Sequence, residues 1–271
     1  MQGYLSDGRA FMVSGFSSKR WYSEAWLDED GQGLALPPKT FRALSLLLER
    51  TGRSLGGKRV RLRGNIPPGK GLSSSSTDIL SVLSVVSEGL GMGLSPDELY
   101  SIAARIEPTD PCLSAGILLF YQHSGVIGER IGLPPMSLLY FDTAPDCGID
   151  TESVQRPWTA GAGRYFDGLL AEFLRAAAAG DIPRLFDCVT ASAEYNQAVV
   201  ALPQFDQWLQ LAKQTKSGLM VAHSGTIAGL LTMPERAAFV RERLEAMTGT
   251  AVYAEDYLPV EAAENGWTYN F

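Results

Sequence analysis

The sequence is short of the residues that build metal centres and disulfide frames. Two histidines and three cysteines occur among 271 residues. Cys112, Cys147 and Cys188 are widely spaced and odd in number, which points to reduced thiols in a cytoplasmic protein, not to a disulfide frame or a zinc site. A histidine-rich metal centre is not expected either. Positive charge is also scarce: the formal net charge is −7 and the sequence pI about 5.0, so the basic footprint of a nucleic-acid binder is missing. No apolar run approaches the roughly 18 residues of a membrane span, and "MQGYLSDGRAF" at the start has no signal-peptide core. No membrane partner is expected. What is present is ordinary for a soluble globular protein, 45% hydrophobic and 20% charged.

Against that background "GNIPPGKGLSSSSTDIL", residues 64–80, stands out. Gly64, Gly69 and Lys70 fit a Walker loop, but Gly71 occupies the place of the magnesium-binding hydroxyl. Pro67 and Pro68 remove backbone N–H donors that such a loop uses. A different phosphate site is expected here. A helix start carries roughly half a positive charge and unpaired N–H groups. Pro68, Gly69, Gly71 and Leu72 form the approach to it, with glycines that let backbone come close to a ligand. Ser73, Ser74, Ser75 and Ser76 add hydroxyls and Lys70 a charge, a set suited to a triphosphate. The plain alternative is an N-cap in a serine-rich turn.

The spacing of apolar residues predicts a strand at "VRLRGNI" and a central helix from about 74 to 90. A capped helix follows in "SPDELYSIAARIEP", with Ser95 as N-cap, Pro96 at the first helical position, Glu98 closing a capping box and Pro108 as the stop. Strands are expected at 116–122 and 137–143, with a domain boundary near 132–135, giving domains 1–134 and 135–271. In the second, helices at about 160–179, 183–195 and 203–215, strands at 218–223 and 226–232, a helix at 235–247 and a strand near 250–254 give a β-α-β-β-α-β order. That order is ferredoxin-like with extra helices, so the fold class is α+β.

Two further stretches carry chemistry. In "ARIEPTDPC", Glu107 and Asp110 lie three apart across a proline-broken helix end. Such a pair can split the work, one carboxylate holding Mg²⁺ and the other facing an attacking hydroxyl; helix-end charge in solvent is the simpler account. In "GLMVAHSGTIAGLL", small residues surround His223, Ser224 and Gly225 between apolar strands. This reads as a tight turn facing nucleotide or substrate, or as an ordinary hairpin.

The serine-rich stretch resembles the second motif of the GHMP kinases, named for galacto-, homoserine, mevalonate and phosphomevalonate kinases. That motif reads Pro, three residues, Gly-Leu, one residue, Ser-Ser-Ala, and Pro67, Gly71, Leu72, Ser74 and Ser75 match it, with Ser76 at the usual Ala. Taken with I-E-P-T-D and V-A-H-S-G, which follow in order, the chain is similar to one branch, the L-threonine kinases of propanediol utilisation and cobalamin synthesis. That branch opens on Gly-Glu-Leu-x-Gln-Gly, of which Gln2-Gly3 matches the tail. The resemblance implies an N-terminal ribosomal-S5-like α/β domain and a C-terminal ferredoxin-like domain. It also implies ATP and Mg²⁺ as cofactors and L-threonine or a similar small molecule as substrate.

By that resemblance Ser75 and Glu107 would hold Mg²⁺. The loop from Pro68 to Ser76, with Lys70, would bind and neutralise the triphosphate. Asp110 would orient the hydroxyl and accept its proton, and His223, Ser224 and Gly225 would touch substrate. Homoserine, serine or another small alcohol is the alternative acceptor, and a non-catalytic nucleotide- or metabolite-binding relative is the alternative class. Lys19, Arg20 and Arg105 are candidates for an acceptor's carboxylate with nothing to single one out, and Trp21 and Tyr22 suit edge-strand packing as well as ligand stacking. Oligomeric state is not readable from the chain.

Overall fold

The computed structural model describes residues 1–29, 35–149, 154 and 159–259. The N-terminal half begins with β1 (Gln2–Tyr4), β2 (Ala10–Ser14) and β3 (Ser23–Asp28). These lead to α1 (Pro38–Thr51) and β4 (Arg59–Gly64). Two helices follow, α2 (Ser74–Gly89) and α3 (Pro96–Ala103), and then the hairpin β5 (Ile117–Tyr121) and β6 (Val126–Ile131). One four-stranded sheet runs β1-β2-β5-β6, and β3 pairs with β4 in a separate ribbon. Ile79, Leu80, Val82, Leu83 and Val86 of α2 are fully buried among α1, α3 and the sheet residue Phe120. The apolar wrap of this helix is therefore its central position, as its sequence predicts.

The C-terminal half holds β7 (Met136–Asp142), α4 (Ala160–Ala179), α5 (Ile182–Gln197), α6 (Phe205–Thr215), β8 (Gly218–Val221), β9 (Ile227–Thr232), α7 (Ala237–Thr248) and β10 (Tyr253–Tyr257). Its sheet runs β10-β7-β9-β8, every pair antiparallel, which is the strand order of a ferredoxin-like unit. β7 is apolar at consecutive positions because both its faces are covered. Leu138 and Tyr140 join the core shared with Phe11 and Phe166, while Leu139 and Phe141 meet Trp208, Val240 and Leu244 under α6 and α7.

Three differences from the sequence reading have local causes. α3 stops at Ala103, and Ala104–Glu107 continue as tight turns with Ile106 and Glu107 both donating to the Ala103 carbonyl. The last strand covers 253–257, a few residues later than expected. The unread α1 starts on Pro38 and buries Thr40, Ala43, Leu44 and Leu47, the spacing of one helix face. The Ser95–Glu98 capping box is formed in both directions. Ser95→Ala is expected to lower unfolding stability by about 1 kcal/mol and to leave nucleotide binding unchanged, checked by denaturant melts and calorimetry. All three cysteines are unpaired, and no described helix is long and apolar enough to cross a membrane.

Candidate active site

The serine run sits where β4 hands over to α2. Gly69 and Gly71 take left-handed backbone angles, φ +72° and +81°, and Ser73 does so too at φ 59°. Few non-glycine residues adopt that region, and the reason is visible in its side chain. Ser73 Oγ does not cap α2; it donates to Asp110 Oδ2 at 2.6 Å. The helix start is thus left without a side-chain cap, and its N–H groups are available to an anion.

Both carboxylates of the I-E-P-T-D segment fold onto this helix start. Ser75 Oγ donates to Glu107 Oε2 at 2.9 Å and Ser76 Oγ to Glu107 Oε1 at 3.3 Å. Ser76 Oγ also accepts from the Asp110 N–H at 3.3 Å. Asp110 is held from the other side by Gln122 Nε2, 2.9 Å from Oδ1, and Gln122 accepts in turn from Gln2 Nε2 at 2.9 Å. Burial pushes the Asp110 carboxyl above the usual carboxylate range. The Ser73 and Gln122 hydrogen bonds oppose that shift, and the nearby Glu107 charge reinforces it. Asp78, one turn into α2, is also raised by burial, with a Ser23 hydrogen bond working against it.

These groups line a cavity of about 990 Å³ between the two halves. Pro68, Gly69, Gly71, Leu72 and Ser73–Ser76 form one wall, with Glu107 and Asp110 beside them. His223 and Ser224 face them from beyond β8, and Leu138, Tyr140 and Ile227 belong to the second sheet. His223 Nε2 lies 3.2 Å from Ser192 Oγ of α5. Gly225 does not line the cavity. It packs against the loop itself: a Cβ there would overlap the carbonyl of Lys70 and the nitrogen of Gly71.

Lys70 departs from its expected place. It is only 7% exposed and is absent from the cavity wall. Its ammonium turns the other way and reaches Asp142 Oδ2 and the Ala144 carbonyl, both at 2.7 Å, the Pro145 carbonyl at 3.0 Å and the Cys147 carbonyl. Of the three basic candidates for an acceptor's carboxylate, Lys19 is exposed and Arg20 lies over the rings of Trp21 and Tyr253. Arg105 borders a separate surface depression. Trp21 lines the cavity and donates to Tyr140 Oη at 2.9 Å, whereas Tyr22 is exposed.

Sequence reading missed Lys39, Gln122 and Glu255. Lys39, in the first turn of α1, places its ammonium 2.8 Å from Glu107 Oε2. Glu255 of β10 lines the cavity and accepts from Ser18 and from Tyr140 Oη. None of the three belongs to a motif. Gln122 had one signal, a polar residue closing the apolar strand "GILLFYQ".

The donor set suits Mg²⁺. Hard oxygens of Ser75 and Glu107 already converge, and the Lys39 ammonium stands where a cation neutralises the carboxylate. Among the described residues no group of three or more His, Cys, Asp or Glu side chains is placed to hold a metal ion. One or two carboxylates together with substrate phosphates commonly suffice for Mg²⁺.

Residues 39–116 match the family described as GHMP kinases N terminal domain. The L-threonine kinase of Citrobacter freundii is 28% identical over 179 residues, 64% of this chain and 62% of its own length. The homoserine kinase of Thermotoga petrophila is 30% identical over 120 residues, 43% of this chain and 42% of its own. Among solved structures, L. major mevalonate kinase in complex with R-mevalonate superposes with a TM-score of 0.66 at 18% identity, covering 96% of each chain. Over residues 39–116 the chain is thus similar to a GHMP kinase N-terminal domain, and its fold is that of the mevalonate kinase structure. Its sequence is similar to the L-threonine kinases, and it spans about three fifths of the length of the Citrobacter freundii enzyme.

Proposed function

We propose that this protein transfers the terminal phosphoryl group of ATP to the hydroxyl of a small alcohol, with L-threonine as the acceptor and O-phospho-L-threonine and ADP as products. The observation that carries the reading is the convergence of Glu107, Asp110 and the serines on the uncapped start of α2. Phosphoryl transfer needs charge neutralisation and alignment more than covalent help. N–H groups and hydroxyls of the α2 start bind the phosphate oxygens. Ser75 and Glu107 would hold Mg²⁺, which when bound neutralises charge on the phosphates. The acceptor oxygen bonds to the γ-phosphorus, the bond to the β-phosphate oxygen breaks, and the hydroxyl proton passes to Asp110. Burial of that carboxyl makes it a better proton acceptor than an exposed aspartate. Gln122 fixes its orientation.

The similarity to an L-threonine kinase supports threonine, and the similarity to a homoserine kinase makes homoserine the rival acceptor. Threonine and serine differ by one methyl group, worth about 1–3 kcal/mol in a pocket. ADP release with Mg–ATP and L-threonine, L-serine, L-homoserine or no acceptor decides among them. Threonine-dependent release is expected; equal release with and without acceptor would sink the reading. Glu107→Ala is expected to cut turnover about 100-fold, the scale of losing one electrostatic stabiliser, with the melting curve of the wild type retained.

A further inference from the structure

Two lysines flank the serine-lined helix start, and they face opposite ways. Lys39 lines the cavity. Its ammonium touches Glu107 Oε2, the oxygen that also accepts from Ser75 Oγ, and about a third of its side chain, 32%, is exposed. No other lysine or arginine among the described residues lines the cavity. Lys70 is buried, and its three donors are shared among a carboxylate and three carbonyls. Turning it toward a phosphate would break one ion pair and three hydrogen bonds at once.

The rest of the loop is tied in the same direction. The Gly69 carbonyl accepts from the Ile149 N–H at 2.9 Å, and the Lys70 carbonyl from the Ile227 N–H at 3.3 Å. Asp142 is itself fixed by Thr226 Oγ1 at 2.5 Å and by the Ala144 N–H at 3.0 Å. A compact ammonium can sit amid converging carbonyls where a planar guanidinium cannot.

We propose that the two lysines divide the work expected of one: Lys39 supplies the charge that faces the ATP phosphates, and Lys70 is a positioning residue that staples the phosphate loop to the turn after β7. The role of Lys39 rests on the kinase reading; that of Lys70 does not.

The experiment compares Lys39→Met, Lys70→Met, Asp142→Asn and the double variant Lys70→Met/Asp142→Asn in ligand-free thermal melts, Mg–ATP calorimetry and steady-state kinetics. Lys39→Met should keep the wild-type midpoint and lose kcat by about 100-fold, with Lys39→Arg recovering part of it. Lys70→Met and Asp142→Asn should each lower the midpoint and raise the KM for ATP, and the double variant should melt no lower than the worse single one. Lys70→Met that weakens Mg–ATP binding while Asp142→Asn binds and melts as wild type would overturn the staple, as would additive losses in the double variant. Wild-type kcat in Lys39→Met would overturn its role. Wild-type protein that binds no Mg–ATP would overturn the kinase reading and the role of Lys39 with it. The melts need no nucleotide and judge Lys70 alone.

Discussion

Asp110→Asn is expected to lower turnover by about 100-fold or more and, at neutral pH, to raise the melting temperature. The two effects share a cause. Asp110 sits in a half-buried position where burial and the Glu107 charge disfavour its ionised form. The unfolded chain ionises this group in the usual carboxylate range, and the folded chain only at higher pH. Below the unfolded value both states hold the proton and the group costs nothing. As pH rises through the window up to the folded value, the unfolded state loses its proton first, and stability falls. Above the window the full penalty remains. Asparagine never carries that charge. It can still accept from Gln122 Nε2 and offer its amide to Ser73 Oγ, which accepts as readily as it donates. Melting curves of both proteins from about pH 3 to pH 8 check this: the variant's advantage should shrink as pH falls through the ordinary carboxylate range. Wild-type turnover in the variant would remove the base assignment. A lower midpoint at pH 8 would mean that the ionised carboxylate is net stabilising.

This trade of stability for a proton acceptor bears on what a sequence can disclose. The α2 helix was legible because a helix apolar on most faces has one physical meaning, a central position, and the fold gives it one. The second sheet was legible because β-α-β-β-α-β leaves few ways to close an antiparallel sheet. The grouping of Ser73–Ser76 with Glu107 and Asp110 was implied by the resemblance of the three motifs to one kinase branch; residue type alone left helix-end charge in solvent as the simpler account. Direction was another matter. Lys70 lies between Gly69 and Gly71, residues that permit unusual backbone angles, so nothing local fixes which way its side chain leaves the chain; Asp142 and three carbonyls, more than seventy residues on, decide it. Lys39 and Glu255 had no local marker, because their partners come from other elements. Short edge strands such as β1, three residues long, carry too little alternation to be read.

Gly225→Ala is expected to be as damaging as the loss of a catalytic group, though Gly225 touches no ligand in the proposed mechanism. Its backbone does not need the left-handed region, so alanine is conformationally permitted there. The obstacle is steric: the new methyl would overlap the Lys70 carbonyl and the Gly71 nitrogen, which are backbone and cannot rotate aside. The phosphate loop must move off the second sheet, at a cost of about 1–3 kcal/mol in stability. A displacement of about 1 Å at a phosphate-binding loop can cost roughly 100-fold in rate. Gly71→Ala meets two obstacles, a φ of +81° and overlap with the Ala222 Cβ. The second is a side chain and can be removed. Gly71→Ala/Ala222→Gly should therefore recover part of the Mg–ATP affinity lost in Gly71→Ala, while no partner change of that kind rescues Gly225→Ala. Gly91→Ala is the control: φ is +64° and nothing lies within 4 Å of its added methyl, so only backbone strain of about 1–2 kcal/mol is expected. Calorimetry with Mg–ATP on these variants tests the chain of reasoning directly. If Gly225→Ala binds nucleotide as the wild type does, the shape of the phosphate loop does not depend on its contact with the second sheet.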